Sequence, residues 1–264
     1  MATFETGDFS LRAIADSGQV FTWRELGRGR ADARYLVASG ARRCVVSQRG
    51  PKVVVLTPSG GQPSPSSLSY WRRYLALDVD YGRLLDSLPL TDEQRAASAG
   101  IRVLRQDWWD VSVAFTISQN SNIPRIQHAV FSLMDAGGGH IPAPRQLSRL
   151  LRDEDFAAGL RLGYRLPYLR ALAGRATGWR PRCLSEKDVP LAEQMAELEE
   201  TPGVGPKVAS CICLYGLGYL EAVPRDTWIK KAERAYGIEW DPTFGGVQQQ
   251  YVFAWIRGAG ATLG

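Results

Sequence analysis

The chain has 264 residues, of which 45% are hydrophobic and 22% are charged, and its formal net charge is +5. This composition excludes a disordered chain, and no apolar run approaches the roughly 20 residues that a membrane helix needs. The basic excess indicates a polyanionic partner only weakly, because many basic proteins never bind nucleic acid.

The N-terminal stretch and the cysteines indicate the compartment. MATFETGDFSLRAIADSG has neither the basic start nor the uninterrupted apolar run of a secretory signal. The four cysteines, Cys44, Cys183, Cys211 and Cys213, have no metal-finger spacing, and nothing after Cys213 could complete an iron–sulfur loop. We therefore expect an intracellular protein with free thiols and no metal site, cytoplasmic in a bacterium or nuclear in a eukaryote, with no membrane contact.

The first quarter of the chain predicts an antiparallel sheet. Short β-branched or aromatic segments separated by glycine-bearing turns are typical of strands. The predicted strands are QVFTWRE (19–25), RYLVAS (34–39), RRCVVSQ (42–48) and KVVVLT (52–57). The composition of PSGGQPSPSS (58–67) then predicts a loop or linker.

The rest of the chain has helical spacing. A capping box, TDEQ at 91–94, predicts a helix that Gly100 ends. Further helices are predicted at 107–118, 123–139, 144–151, 167–176, 191–200, 207–216, 226–237 and 246–258. We expect an α+β fold, with an N-terminal antiparallel β-sheet domain over 1–75 packed on a mainly α-helical domain over 76–264.

The segment 191–216, LAEQMAELEETPGVGPKVASCICLYG, predicts a helix-hairpin-helix, which binds the DNA backbone without reading its sequence. A phosphate would meet N–H groups from two sources: the hairpin amides around Gly203 and Gly205, and the N-terminus of the helix that follows. The alternative is a plain glycine turn between two packed helices. The motif also occurs in DNA-binding proteins without catalysis.

Lys207 lies in the first turn of the helix that Pro206 begins, where the helix dipole disfavours an ammonium ion. The chain uses lysine sparingly, with only five among its 32 basic residues. Asp226 follows nineteen residues later, about the length of one helix and a returning loop, so its carboxylate can come back beside the amine. Asp226 can equally be the N-cap of the helix that starts at Thr227, and both roles can coexist.

These segments resemble one enzyme family. PGVGPKVASCICL followed by AVPRDTW resembles the helix-hairpin-helix DNA glycosylases, and within them the 8-oxoguanine DNA glycosylases. The further similar stretches, in the family's order, are SGQVFTWRE, GIRVLRQD, SQNSNIPRI, LGYR and QQYVF.

The resemblance implies a reaction. Lys207 would attack the deoxyribose C1′, displace the damaged base and form a Schiff base that allows β-elimination of the strand. That chemistry needs a neutral amine, which a helix N-terminus and partial burial favour. Asp226 would stabilise positive charge developing on the sugar. The resemblance implies no redox cofactor and no catalytic metal, although hairpin carbonyls could share a cation with a DNA phosphate.

The resemblance also implies how the flipped base is held. Phe253 and Cys211 would sandwich it, Gln249 would read its Watson–Crick edge, and the Gly18 carbonyl would accept the N7 hydrogen that guanine lacks. Taken alone, Phe253 is typical of a core residue, Cys211 of a small buried filler and Gly18 of a turn.

When the damaged base leaves the duplex, the cytosine opposite it loses its partner. The resemblance implies that this orphaned cytosine is hydrogen-bonded by Asn120, Arg125 and Arg165, and that Tyr164 wedges into the duplex. Taken alone, Asn120 is a plausible helix cap and both arginines plausible surface charges. The implied partner is double-stranded DNA carrying 8-oxoguanine opposite cytosine, bound by a monomer. The alternatives are an alkylated-base glycosylase, which would lack the hairpin lysine, and a non-catalytic DNA-binding protein.

Three residues depart from the family pattern. Thr201 replaces an apolar residue before the hairpin, which could weaken packing there. Arg225 stands beside Asp226, where it could lower the pKa of the carboxyl or contact a phosphate. Trp228 replaces a phosphate-binding histidine of some eukaryotic relatives.

Overall fold

An antiparallel sheet forms the N-terminal part of the computed structural model, which describes residues 2–28, 32–50, 52–56, 64–186 and 188–258. Its five strands lie in the spatial order β1-β5-β4-β3-β2. With the first helix, they are β1 (Ala2–Glu5), α1 (Leu11–Asp16), β2 (Trp23–Arg28), β3 (Asp32–Ser39), β4 (Arg42–Arg49) and β5 (Lys52–Leu56).

Alternation of buried and exposed side chains explains the sheet. Cys44 and Val46 of β4 are buried, and they pair with Val37 and Val55 of the neighbouring strands, so one face is apolar. Strand β1 was not predicted, because a four-residue edge strand has little pattern of its own and is stabilised by pairing with β5. The predicted strand 19–25 begins only at Trp23.

The prediction of a loop over 58–67 was wrong for its last residues. Residues 58–63 lie outside the described part, but α2 spans Pro65–Tyr74. The Ser64 side chain caps the helix by accepting a hydrogen bond from the Ser67 amide, and Pro65 suits its first turn. Burial of Trp71 and Tyr74 stabilises it, and the Tyr74 hydroxyl accepts a hydrogen bond of 2.8 Å from the Trp23 indole.

The remaining chain is helical. Its helices are α3 (Tyr81–Asp86), α4 (Asp92–Ala97), α5 (Trp108–Ser118), α6 (Ile123–Ala136), α7 (Pro144–Leu150), α8 (Glu154–Gly159), α9 (Arg165–Ala176), a 3-10 turn (Arg182–Leu184), α10 (Leu191–Glu199), α11 (Pro206–Cys211), a π-helical segment (Ile212–Leu217), α12 (Thr227–Tyr236) and α13 (Gly245–Gly258).

Most predicted helices and caps are confirmed. The capping box of Thr91 and Gln94 is present, and α4 ends at Ala97, before the predicted stop at Gly100. Helix α6 ends at Ala136 rather than 139, because Gly138 and Gly139 take positive φ values. The predicted helix 207–216 divides into α11 and the π-helical segment. Helices α1, α3 and α8 were not predicted.

Two main hydrophobic cores hold the described part of the molecule. The smaller one packs the sheet against α1 and α2, and the larger one fills the helical part. A third and much smaller cluster lies between α12 and α13. This arrangement confirms the α+β fold class. The division at residues 75 and 76 stays a prediction, since Leu104 belongs to the smaller core and Phe21 to the larger one. Across the described ranges, the helices are all too short or too polar for a membrane span.

Candidate active site

The hairpin joins α10 to α11 through two glycines with different roles. Gly203 has φ +85°, and a Cβ there would lie 2.2 Å from Cγ of Tyr168. Gly205 has φ −94° as the N-cap of α11, and no heavy atom lies within 4 Å of the position its Cβ would take. The fold therefore requires glycine at 203, whereas Gly205 leaves open space beside the helix N-terminus.

Lys207 is half-buried in the first turn of α11. Its Nζ lies 4.8 Å from the centre of the Phe115 ring, a cation–π distance. Phe115 in turn stacks on Tyr215, with the ring centres 5.5 Å apart and the planes 15° from parallel. Phe115 and Tyr215 are both buried, so the amine rests on a fixed aromatic platform.

Cys211 lies one helical turn after Lys207 and is buried. Burial raises the pKa of the Cys211 thiol to about 11, while the charge of Lys207 and its hydrogen bond to the thiol act in the opposite direction. The Asp226 charge raises that pKa slightly further. The thiol is therefore neutral at physiological pH, and the three groups lie close enough to interact electrostatically.

Asp226 is the N-cap of α12, as predicted. Its Oδ1 accepts a hydrogen bond of 2.8 Å from the Ile229 amide, which orients the carboxylate. The neighbouring Arg225 donates from two nitrogens to the Glu233 carboxylate, at 2.6 and 2.7 Å. The Arg225 guanidinium is thus paired along α12.

A cleft of about 1140 Å³ collects much of the predicted site. Lys207, Asp226, Gly18 and Phe253 all line it, together with Phe115. Gly18 has φ +79°, and a Cβ there would lie 3.5 Å from the Phe253 ring. The cleft thus brings an amine, a carboxylate, an aromatic ring and a backbone turn into one enclosure. Trp228, which is 52% exposed, also lines it.

Two predicted base-binding residues do not line this cleft. Cys211 and Gln249 are buried, at 1% and 4% exposure. The Oε1 of Gln249 has no hydrogen-bond partner among the described residues. An unpaired buried carbonyl costs about 1–3 kcal/mol, so a hydrogen-bond donor that reached this oxygen would remove that cost.

A second predicted cluster forms where α5 ends and α9 begins. The Asn120 amide nitrogen donates to the Tyr164 hydroxyl at 3.0 Å. The Arg165 guanidinium donates to the carbonyls of Gln119, Asn120 and Leu162. Tyr164 is half-exposed, and Arg165 lies 4.6 Å from its ring centre. Arg125 is exposed in the first turn of α6, and among the described residues its side chain forms no hydrogen bond or ion pair with this cluster.

Gln119 connects this cluster to the hairpin, and sequence reasoning missed it. Its side-chain nitrogen donates to the Gly203 carbonyl at 3.0 Å, while its own carbonyl accepts from Arg165. Its position beside Asn120 was the only signal in the sequence. Thr201, the departure before the hairpin, is buried, and its carbonyl accepts a hydrogen bond of 2.9 Å from the Val204 amide.

In the ranges that the structure describes, no three His, Cys, Asp or Glu side chains are grouped so as to hold a metal ion.

A glycine hairpin, a lysine in the helix that follows it and a capped aspartate thus meet at one cleft, on a fold that DNA glycosylases share. A 3-methyladenine DNA glycosylase from Archaeoglobus fulgidus shares the fold, with a TM-score of 0.69 over 97% of this chain and 98% of that one at 14% identity.

More specific similarities follow. The family model for the N-terminal domain of 8-oxoguanine DNA glycosylase matches residues 1–111. The 8-oxoguanine glycosylase/lyase of Clostridium acetobutylicum, solved with double-stranded DNA containing cytosine opposite 8-oxoguanine, has a TM-score of 0.82 and 25% identity, covering 98% of this chain and 99% of that one. An Arabidopsis thaliana N-glycosylase/DNA lyase is 30% identical in an alignment of 250 positions that covers 84% of this chain and 64% of that protein.

By sequence over its N-terminal part and by structure over nearly its whole length, the chain is similar to the 8-oxoguanine DNA glycosylases. It spans less than two thirds of the length of the plant relative.

Proposed function

We propose that this protein excises 8-oxoguanine opposite cytosine from double-stranded DNA and then cleaves the strand at the resulting abasic site. The single observation that supports this best is the shared cleft of Lys207 and Asp226, in which the lysine amine rests on Phe115. The named activities of the relatives agree with it.

In the proposed reaction, the Lys207 nitrogen forms a bond to C1′ as the glycosidic bond breaks and its electron pair leaves with the base. The Asp226 carboxylate stabilises the positive charge that develops on the sugar. Opening of the sugar ring gives an imine between Lys207 and C1′. Loss of a C2′ proton then expels the 3′ phosphate by β-elimination. No electron acceptor is consumed, and the Lys207 amine is itself the nucleophile, so we propose that the reaction needs neither a redox cofactor nor a catalytic metal.

We assign DNA backbone binding to the hairpin. The space beside Gly205 lets a phosphate approach the N-terminal amides of α11, which carry partial positive charge. Gly203 shapes the turn that presents those amides.

For the flipped base, the adjacency of Gly18 and Phe253 on the cleft supports a backbone acceptor beside a stacking ring. The unpaired Oε1 of Gln249 supports its assignment to the Watson–Crick edge, where guanine offers N–H donors. Cys211 would form the opposite surface of the base pocket.

We propose that Asn120, Arg125 and Arg165 hydrogen-bond the orphaned cytosine and that Tyr164 inserts into the duplex as a wedge. Arg165 has five N–H donors, and three serve backbone carbonyls, so two remain for a base. The half-exposed Tyr164 ring has the apolar surface that insertion between bases needs. One copy of the chain contains all of these groups, so we propose that a monomer acts on intracellular DNA.

Borohydride trapping tests the proposal, because it reduces an imine to a stable amine. Duplex carrying 8-oxoguanine opposite cytosine is incubated with the wild type, Lys207→Gln or Lys230→Gln. Lys230 also lines the cleft and is the matched control. We expect an adduct with the wild type and Lys230→Gln, and none with Lys207→Gln.

The alternatives give different results in the same assay. Release of the base without an adduct from the wild type would contradict the lysine mechanism and indicate a water-activating glycosylase, such as one for alkylated bases. Tight binding without release would indicate a non-catalytic DNA-binding protein.

A further inference from the structure

A buried hydrogen-bonded chain links the π-helical segment, α13 and the backbone just before Gly18. The Tyr215 hydroxyl donates to Oε1 of Gln250 at 2.7 Å, and Nε2 of Gln250 donates to the Ser17 carbonyl at 3.0 Å. All three residues are buried. Burial also raises the pKa of the Tyr215 hydroxyl, which therefore remains protonated and able to donate.

The backbone just after Gly18 is held as firmly. The Gln19 side chain accepts from the Leu104 amide at 2.8 Å and donates to the Arg102 carbonyl at 2.9 Å. The Gln19 carbonyl accepts from the Gln106 side chain at 2.7 Å. Both neighbours of Gly18 are thus fixed, while Gly18 itself lines the cleft.

Glycine needs such anchors, because without a Cβ its flanking peptide planes rotate freely. Gly18 has φ +79°, and the carbonyl proposed to read N7–H lies between the two anchored peptides. A hydrogen-bond acceptor discriminates between bases only if its direction is fixed.

Tyr215 contacts a second part of the site. Its ring stacks on Phe115, which carries the Lys207 amine. The base-reading turn and the platform of the nucleophile therefore share one buried residue. Gln250 also directly follows Gln249, the proposed reader of the Watson–Crick edge.

We propose that Tyr215 and Gln250 are positioning residues that fix the Gly18 carbonyl and so set the selectivity for 8-oxoguanine over guanine. Neither lines the cleft, and both act through Gly18. The inference rests on the proposed function, because it assumes that the Gly18 carbonyl reads the base.

Gln250→Met tests the proposal against a matched control, Gln248→Met. Gln248 lies on the same helix, is equally buried and also makes two hydrogen bonds, to the Asp241 amide at 2.7 Å and the Glu239 carbonyl at 2.9 Å. These partners lie outside the cleft lining. The readouts are kcat/KM for release of 8-oxoguanine, for release of guanine, and for cleavage of a preformed abasic site.

We expect Gln250→Met to lower 8-oxoguanine release about 10- to 100-fold, the size of effect that a misplaced group produces, while abasic cleavage changes less than about twofold. Gln248→Met should leave the ratio of 8-oxoguanine release to abasic cleavage unchanged. Tyr215→Phe keeps the stacked ring but removes the hydroxyl that donates to Gln250. It should therefore lower the ratio of 8-oxoguanine release to abasic cleavage about 3- to 10-fold, which is less than the effect of Gln250→Met.

Equal losses of both activities in Gln250→Met and Tyr215→Phe would show a merely structural network and overturn the proposal. Unchanged selectivity in both variants would overturn it as well. A wild type that neither releases 8-oxoguanine nor forms an adduct would instead refute the proposed function, so the two failures are distinguishable.

Discussion

Gly203→Ala should destabilise the protein much more than Gly205→Ala, although the two glycines lie in one hairpin. At position 203 the left-handed backbone costs a residue with a Cβ about 1–2 kcal/mol. The new Cβ would also lie 2.2 Å from the Tyr168 ring, which packs edge-on against Tyr164, and such overpacking costs about 1–3 kcal/mol. The sum is about 2–5 kcal/mol.

At position 205 the backbone conformation suits any residue and the space beside it is open. Gly205→Ala should therefore destabilise the protein only because alanine is a poorer N-cap, by under about 1 kcal/mol. The methyl group would, however, occupy the space proposed for a phosphate.

Thermal unfolding and binding of undamaged duplex at low salt measure the two effects. We expect Gly203→Ala to lower the Tm by at least about 4 °C, from about 2–4 °C per kcal/mol for a chain of this size. Gly205→Ala should change the Tm little and weaken duplex binding about tenfold, the loss of one charge-assisted contact. Equal Tm losses would refute the steric reasoning, and unchanged duplex binding by Gly205→Ala would refute the phosphate site.

Three further variants test other parts of the account. Burial, and after it the charge of Asp107, raises the pKa of Asp110 in the folded protein. Between the ordinary aspartate pKa of about 4 and this raised pKa, the folded state keeps a proton that the unfolded state releases. The stability of the protein therefore falls as the pH rises through that interval. Asp110→Asn should therefore raise the Tm at pH 7 but not at pH 4, and a Tm gain that is independent of pH would contradict this. In Arg165→Lys, a single ammonium group replaces the planar guanidinium that donates to the carbonyls of Gln119 and Asn120. This variant should lower the preference for cytosine opposite the lesion about tenfold. Excision from four duplexes that differ in the base opposite the lesion measures this preference. Gly18→Ala places a Cβ at φ +79° beside the proposed base pocket, and it should lower 8-oxoguanine excision at least about fivefold, from about 1–2 kcal/mol of strain, while abasic cleavage persists. Parallel losses of excision and abasic cleavage would exclude a role in base reading.

Local signals made much of the fold predictable. The Thr91 capping box and the Asp226 N-cap each act within one helical turn, as does Gly237, which ends α12 in the left-handed conformation, so their residues suffice to define them. Strands β3 to β5 likewise follow from alternation within each segment.

The elements that escaped prediction depend on distant contacts. Helix α2 is polar on average and follows a Ser/Pro-rich stretch, and two aromatic residues buried against the sheet stabilise it. The π-helical segment follows α11 without a local signal. It packs on α5 so closely that a Cβ at Gly216 would lie 2.9 Å from the Trp108 backbone, a contact between residues far apart in sequence.

The candidate site divides in the same way. Lys207 and Asp226 could be proposed because they belong to one compact motif with a readable turn and cap, and because that motif resembles the helix-hairpin-helix DNA glycosylases. The supporting groups could not, since Gln119 reaches Gly203 over 84 residues of sequence and Gln250 reaches Ser17 over 233. Such contacts arise from packing, which leaves no periodic trace in the sequence.

The position of the covalent bond to DNA tests the central claim most directly. After borohydride reduction with duplex carrying 8-oxoguanine opposite cytosine, proteolysis and mass spectrometry identify the modified peptide. We predict that the added sugar lies on the peptide containing Lys207. An adduct on Lys230 or on the N-terminal amine, or release of the base with no adduct at all, would contradict the account.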